Sequence, residues 1–494
     1  MKLKIILFSL KLVRILITII TLSITAKYFG SNSIRDNWLI AYSVFIVIDL
    51  AVWGPINETF RAKFIEIKNK TNTQDALNGA WSLFSFINIG TLVLSILLLL
   101  FSDNISLWLL PNYSLDDQKE LALMIMLISP SLILNQVNLF LTSVLNAFNV
   151  FYVPEISGII SVIFNVFFII FLVDYIGIYS LFVGHYFSLV LLLIMLLIQF
   201  SRNKITFFNK KILIDFKSIK VYVFFAIPFF LPYFFGQIGT LVEKFIAALI
   251  SEGTVSNLDY SKKFLDIPVN VITSVMTTLY IPIATGFYFK DDLINFRKEF
   301  YKILKFGAFI TISVSVFLIL FASEIVAILY DKGSISSDNL ILIKKTIEMY
   351  ALGSMPIFLY SFLGLSLIAS NNSKVYAYCG MLTQIGIIFF NLILYKELDI
   401  FIFPVSLLTF HLLSALFMLF YLSKKQVILD KFNVIKFIVL YALIIAFYII
   451  IKDYLTETDA YTLFKKAILF IAPIVTLMYF LFKEEIVIFF KKDK

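Results

Sequence analysis

The chain has 494 residues, 61% of them hydrophobic and only 15% charged, with a mean hydropathy of +0.95 and a formal net charge of +9. This composition excludes a soluble globular domain and reads as a polytopic membrane protein. The basic excess is spread over short segments between apolar runs, so it excludes nucleic acid as a partner and reports topology instead.

The first apolar segment, about 5–26, contains KLVRILITIITLSIT at 11–25. Lys11, Arg14, Thr18, Thr21 and Thr25 recur at steps of three and four, which places them on one stripe of a helix. An arginine facing lipid at a helix centre costs roughly 2.5–3.5 kcal/mol on insertion scales, so Arg14 is expected to face a bundle interior or a wet cavity. The alternatives are a structural ion pair or a side chain snorkelling to the interface. No small-residue cleavage site precedes the stripe, and the segment is expected to be a retained span rather than a signal peptide.

Further spans are predicted at about 37–57, 78–101, 121–147, 154–173 and 177–200, then 221–249, 265–287, 303–328, 345–370, 375–395 and 399–422, and finally 434–452 and 464–483. The predicted fold is all-α, with about fourteen transmembrane helices. Arg61, Lys63, Lys68 and Lys70 follow span two, Arg202 to Lys220 follow span six, and Lys290 to Lys305 follow span eight. These basic loops all fall on the side of the N-terminus, so both termini are predicted to be cytoplasmic.

An internal repeat is visible at an offset of about 223 residues. AKYFGSNSIRD from Ala26 aligns with LISEGTVSNLD from Leu249, pairing Gly30 with Gly253 and Asp36 with Asp259. LNAFNVFYVPEISG, ending at Gly158, lies against LIASNNSKVYAYCG, ending at Gly380, and His185 falls near His411. The predicted organisation is a six-helix half at 1–210, a second at 211–425, and two additional helices with a tail at 426–494. In transporters with parallel repeats the substrate site lies between the halves.

Other polar stripes fit a wet interior. Asn135, Asn138, Thr142, Asn146 and Asn149 in span four, and Asp266, Asn270, Thr273 and Thr277 in span eight, keep helical spacing. Such groups suit sugar hydroxyls and water, because they both donate and accept; the bland alternative is interhelical hydrogen bonding. In span seven, Glu243 beside Lys244 is a carboxylate at membrane depth, which must be protonated, paired or bound to a cation. Asp49 in span two is a candidate ion-pair partner for Arg14. His185 and His411 read first as hydrogen-bonded packing residues and only second as proton relays. Neither a GxxxxGK[ST] loop nor a Cys/His cluster with metal-ligand spacing occurs, so no enzyme, metal or organic cofactor is expected, and a secondary transporter fits better.

The runs LISEGTVSNLDYSKKFLDIP, TLYIPIATGF and LYDKGSISSDN, with RILITIITLSITAKYFGSNSIRDNW in the first half, resemble motifs of the lipid II flippase (MurJ/MviN) family, within the superfamily of multidrug, oligosaccharidyl-lipid and polysaccharide exporters. The resemblance covers nearly the whole chain, including the two extra helices. It implies alternating access at the bacterial inner membrane, carrying an undecaprenyl-diphosphate-linked saccharide to the outer leaflet. A monomer working with the glycan synthesis machinery among membrane lipids is expected.

By the same resemblance Arg14 matches the first of the family's cavity arginines, which engage the diphosphate. A second arginine is replaced near Ile19 to Thr21, a pair in span two near Ile48 and Asp49, and a further one by Lys263. Arg14, Lys11, Thr18, Lys263, Asn138 and Asn270 are therefore the candidate substrate contacts. Glu243 and Asn391 are the candidates for sodium or proton coupling. The thinned cationic set orders the expected substrates as an O-antigen, capsule or exopolysaccharide unit first and lipid II close behind. A cation-coupled multidrug antiporter is the alternative of a different class, and a membrane scaffold would leave the polar stripes unexplained.

Overall fold

The computed structural model describes residues 2–207, 214–331, 333–428, 431–452, 454–455 and 460–492. Among them only helices and their connections occur, so the all-α expectation holds. Ten helical stretches are long and apolar enough to cross a membrane. Two of these, at 153–202 and 373–424, are helix pairs joined by a three-residue 3-10 turn, so the ten correspond to twelve of the expected spans. The first and eighth expected spans, α1 (Lys2–Phe29) and α9 (Thr254–Val275) with α10 (Ile281–Tyr288), are helical but not among them. Asp259, Lys262, Lys263 and Asp266 make α9 too polar to qualify. The count of fourteen therefore stays an expectation.

Helix starts follow capping chemistry. Asn32 accepts from the Arg35 amide at 3.0 Å to open α2 (Ser33–Lys70), and Asn72 accepts from the Asp75 amide at 2.8 Å to open α3 (Thr73–Leu109). Asp215 caps α8 (Phe216–Ile250) through the amides of Lys217 and Ser218, and these bonds with the Ser218 hydroxyl hold its carboxyl below the usual carboxylate range.

The chain packs as two units. The first takes residues up to Ser256 with Lys332–Ser336, and the second takes Asn257–Asp331 and Ser337–Lys494. In the first, α2 runs along α8, while α1 lies on α6 (Val153–Ile176). Its core joins Phe60 and Phe64 of α2 to Phe140 of α5 (Ser131–Ala147) and Tyr222 of α8, with the Phe60 and Phe140 rings 4.5 Å apart. Gly54 of α2 admits the Tyr233 ring of α8, since a Cβ there would lie 2.7 Å from it.

In the second unit, α12 (Ser337–Ala369) packs against α11 (Leu293–Leu329) and α14 (Ile402–Lys424). The additional helices α15 (Lys431–Lys452) and α16 (Ala460–Lys492) lie on α11. Tyr441 of α15 fixes this arrangement by donating to the Ala351 carbonyl at 2.6 Å.

The repeat is written into the backbone turns. Gly30 and Gly253 both adopt left-handed φ, at 64° and 82°. The same conformation recurs at Asn149 and Asn371, Gly177 and Asp399, and Lys204 and Gln426, each pair about 222 residues apart. The closing hydrogen bonds repeat as well: the Val150 amide reaches Leu145 O at 3.0 Å, and the Asn372 amide reaches Leu367 O at 2.7 Å. Asparagine takes this conformation more readily than other side-chain-bearing residues, which fits its use at 149 and 371.

Candidate functional site in the first unit

Arg14 is exposed on α1, and its guanidinium lies over Gly158 of α6. A Cβ at 158 would stand 2.9 Å from both Cζ and Nη1 of Arg14. The missing side chain thus makes the seat on which the cation rests. Among the described residues Arg14 makes no hydrogen bond or ion pair, so its five donors remain available to an anion. The Lys11 side chain lies outside the described residues.

The threonines continuing the stripe are used differently from what their spacing predicts. Thr18 donates to Arg14 O at 2.8 Å, Thr21 to Ile17 O at 2.9 Å and Thr25 to Leu22 O at 2.8 Å. Their protons serve their own helix, and only lone pairs remain to offer a ligand.

Asp49 does not pair with Arg14. It is 2% exposed and accepts from Asn135 Nδ2 at 2.8 Å and from Gln136 Nε2 at 2.5 Å, both on α5. Gln136 in turn accepts from Asn57 Nδ2 at 3.2 Å. Amides on a neighbouring helix thus satisfy the carboxylate, which is a correction to the ion pair expected from sequence.

Asn138, expected to line a wet chamber, is 1% exposed and donates to Leu189 O at 2.8 Å, tying α5 to α7 (Ser180–Arg202). Two of the five residues of the span-four stripe, Asn135 and Asn138, therefore serve interhelical bonding, the bland alternative. His185 is also structural: Ser131 gives its proton to Ile128 O at 2.6 Å, so the imidazole Nε2 donates to Ser131 Oγ at 3.0 Å.

Candidates in the second unit are more dispersed. Lys263 lies 3.6 Å from Asp259 one helical turn away, Asn270 is exposed on α9, and His411 Nδ1 contacts Leu407 O at 2.7 Å. Asn391 is 2% exposed with its Oδ1 lacking a partner among the described residues. Glu243, half-buried on α8, belongs to the first unit.

Sequence reasoning missed a heavily bonded carboxylate. Asp36 at the start of α2 is fully buried and accepts from the Gly253 amide at 2.7 Å, the Ser256 amide at 2.8 Å, the Ser256 hydroxyl at 2.6 Å and the Tyr113 hydroxyl at 3.1 Å. Burial, and next the Asp36 charge, push the Tyr113 phenol far above its ordinary range, so it stays a donor. Ser31 Oγ adds a bond to Gly253 O at 3.1 Å, and the Ser33 amide one to Glu252 Oε1 at 3.0 Å. The α1–α2 and α8–α9 turns are thereby clasped together. The aligned glycines signalled both turns, but the repeat matched Asp36 to Asp259 and gave no sign that one carboxylate serves both.

The seat at Gly158 makes a specific demand. Gly158→Leu should fold, because Arg14 can swing aside, yet transport should fall toward that of a variant lacking Arg14. Surface level by immunoblot and export rate, measured together, check this.

Long apolar helices with turns repeating about 222 residues apart define a polytopic membrane protein with an internal repeat. In fold it is similar to a solved structure of the lipid II flippase MurJ in an inward closed conformation, with a TM-score of 0.79, 20% identity, and coverage of 97% of this chain and 100% of that one. It is also similar to an inward-facing multidrug resistance MATE family transporter, with a TM-score of 0.65 at 10% identity over 84% of this chain and 98% of that one. The chain belongs to the lipid II flippase MurJ family, whose model matches residues 25–472.

Two relatives, each described as a probable lipid II flippase MurJ, agree. That of Buchnera aphidicola subsp. Schizaphis graminum is 23% identical over 350 residues, covering 66% of this chain and 65% of the relative. That of Buchnera aphidicola subsp. Acyrthosiphon pisum is 22% identical over 377 residues, covering 71% and 69%. The chain thus matches about two thirds of the length of these relatives. The multidrug alternative is not favoured.

Proposed function

We propose that this protein carries a polyprenyl-diphosphate-linked saccharide precursor of the cell envelope from the inner to the outer leaflet of the bacterial cytoplasmic membrane by alternating access. Family membership over residues 25–472 carries this reading. It also reorders the expected substrates, moving lipid II ahead of O-antigen, capsule and exopolysaccharide units. Arg14 supplies a fork of donors for the diphosphate, with the charge-assisted geometry that phosphate oxygens favour. Both termini face the cytoplasm, and the step moves its substrate without making or breaking a covalent bond.

Depletion of the protein in its native cell tests the reading. Lipid II should accumulate, with its saccharide confined to the cytoplasmic side. Accumulation of a different lipid-linked glycan would replace lipid II as substrate, and no accumulation of any would remove the flippase reading.

Glu243 is the proposed coupling group, since a half-buried carboxylate on a membrane helix can take up a sodium ion or a proton. Transport by the wild type should then depend on sodium or on pH, and Glu243→Gln should lose that dependence. Equal coupling in both proteins would leave Glu243 structural.

A further inference from the structure

In the second unit, α15 and α16 close a cavity of about 600 Å³ against α11, α12 and the α13–α14 turn, α13 being Ser373–Leu398. Much of its lining is apolar, including Ile319, Leu320, Leu352, Val405 and Ile449. Lys344, Lys345, Lys452, Lys466 and Glu348 also line it. Lys452 is paired with Glu348. Lys466, whose side chain is only 4% exposed, is paired with Glu324 at 2.5 Å. These pairs cancel in charge. Lys344 and Lys345 make no hydrogen bond or ion pair with any described residue, so among the described residues they leave the cavity with two uncompensated positive charges.

The placement of these lysines is unusual. The loop charges assign this end of the unit to the outer face, where lysines are disfavoured by the rule that orients membrane proteins. Topology therefore does not account for four of them around one cavity, nor does pairing with described residues account for Lys344 and Lys345. Lysine is a compact cation that binds phosphate as a point charge, and the apolar residues of the lining suit hydrocarbon.

We propose that this cavity binds the phosphate headgroup of an anionic lipid, with the phosphate at Lys344 and Lys345 and the first part of the chain against Ile319, Leu352 and Ile449. The chemistry is shared by a bilayer phospholipid and by a polyprenyl phosphate. The site is independent of the transport reading, because binding requires no movement of substrate.

Native mass spectrometry of the purified full-length protein, with phosphatidylglycerol, phosphatidylcholine or a polyprenyl monophosphate added in separate samples, tests it. At least one anionic lipid should be retained in preference to phosphatidylcholine. The Lys344→Gln/Lys345→Gln variant should bind it about tenfold more weakly or worse, from the attraction each lysine contributes near a membrane surface. Lys344→Arg/Lys345→Arg should restore binding. Retention of phosphatidylglycerol identifies a bilayer lipid as a source, and retention of the polyprenyl phosphate alone identifies the carrier lipid. Anionic lipid binding that is equal in the wild type and the glutamine variant, or no preference over phosphatidylcholine, would overturn the proposal. Should the double variant fail to fold, each single glutamine variant is read by the same criteria.

Discussion

Asp36→Ala should destabilise the protein and abolish most of its transport. The substitution strips the acceptor from two buried amides, those of Gly253 and Ser256, and from the hydroxyls of Ser256 and Tyr113. Each buried donor left unmade costs roughly 1–3 kcal/mol, so a loss of about 3 kcal/mol or more is expected. Asp36→Asn should be nearly as damaging. Oδ2 receives the Gly253 amide and Oδ1 the Ser256 amide, so either orientation of an asparagine points an NH2 group at an N–H donor. Tyr113→Phe removes only the longest of these bonds and should cost far less. Thermal unfolding of the three purified variants, ranked beside their export rates, checks the order. An Asp36→Asn protein as stable as the wild type would show that the clasp does not depend on the carboxylate.

Arg14→Ala should lower transport by about 10- to 100-fold while leaving expression and folding intact, the range being that of one lost hydrogen bond between charged groups at about 1.5–3 kcal/mol. Stability is spared because Arg14 is exposed and bonded to no described residue. Arg14→Lys keeps the charge and loses the fork, so it should retain part of the activity. Arg14→Ala cells exporting precursor at the wild-type rate, with normal protein levels, would remove Arg14 from substrate contact.

The helices were readable because runs of apolar residues at bilayer length, punctuated by basic loops, leave few alternatives. The repeat was readable too, although weakly in residue identity. Its evidence in the fold is the recurrence of left-handed turns at Gly30 and Gly253, Asn149 and Asn371, and Gly177 and Asp399. The same offset joins Lys204 to Gln426, where residue type gives no hint, because a hydrogen-bonded helix end can impose the conformation on a lysine or a glutamine.

Partners were much harder to read than elements. Periodicity placed Arg14, Thr18 and Thr21 on one face correctly, but it could not say that the threonine protons return to their own backbone. Asp49 was identified as a carboxylate needing a partner, yet helical spacing is silent on the neighbouring helix that supplies Asn135 and Gln136. Asp36 escaped notice for the same reason, since its four donors come from residues 77 to 220 positions away. Gly158 was aligned only as a repeat position, and its use as the seat for a guanidinium emerges from packing.

Transfer of lipid II across liposomes containing the purified protein is the most direct test of the proposed function. With fluorescent lipid II in both leaflets and a membrane-impermeant quencher outside, wild-type protein should expose the inner-leaflet pool to quenching, and Arg14→Ala should slow this by about 10- to 100-fold. An inner pool that stays protected as fully as in protein-free liposomes, under imposed sodium, proton and voltage gradients alike, would contradict it.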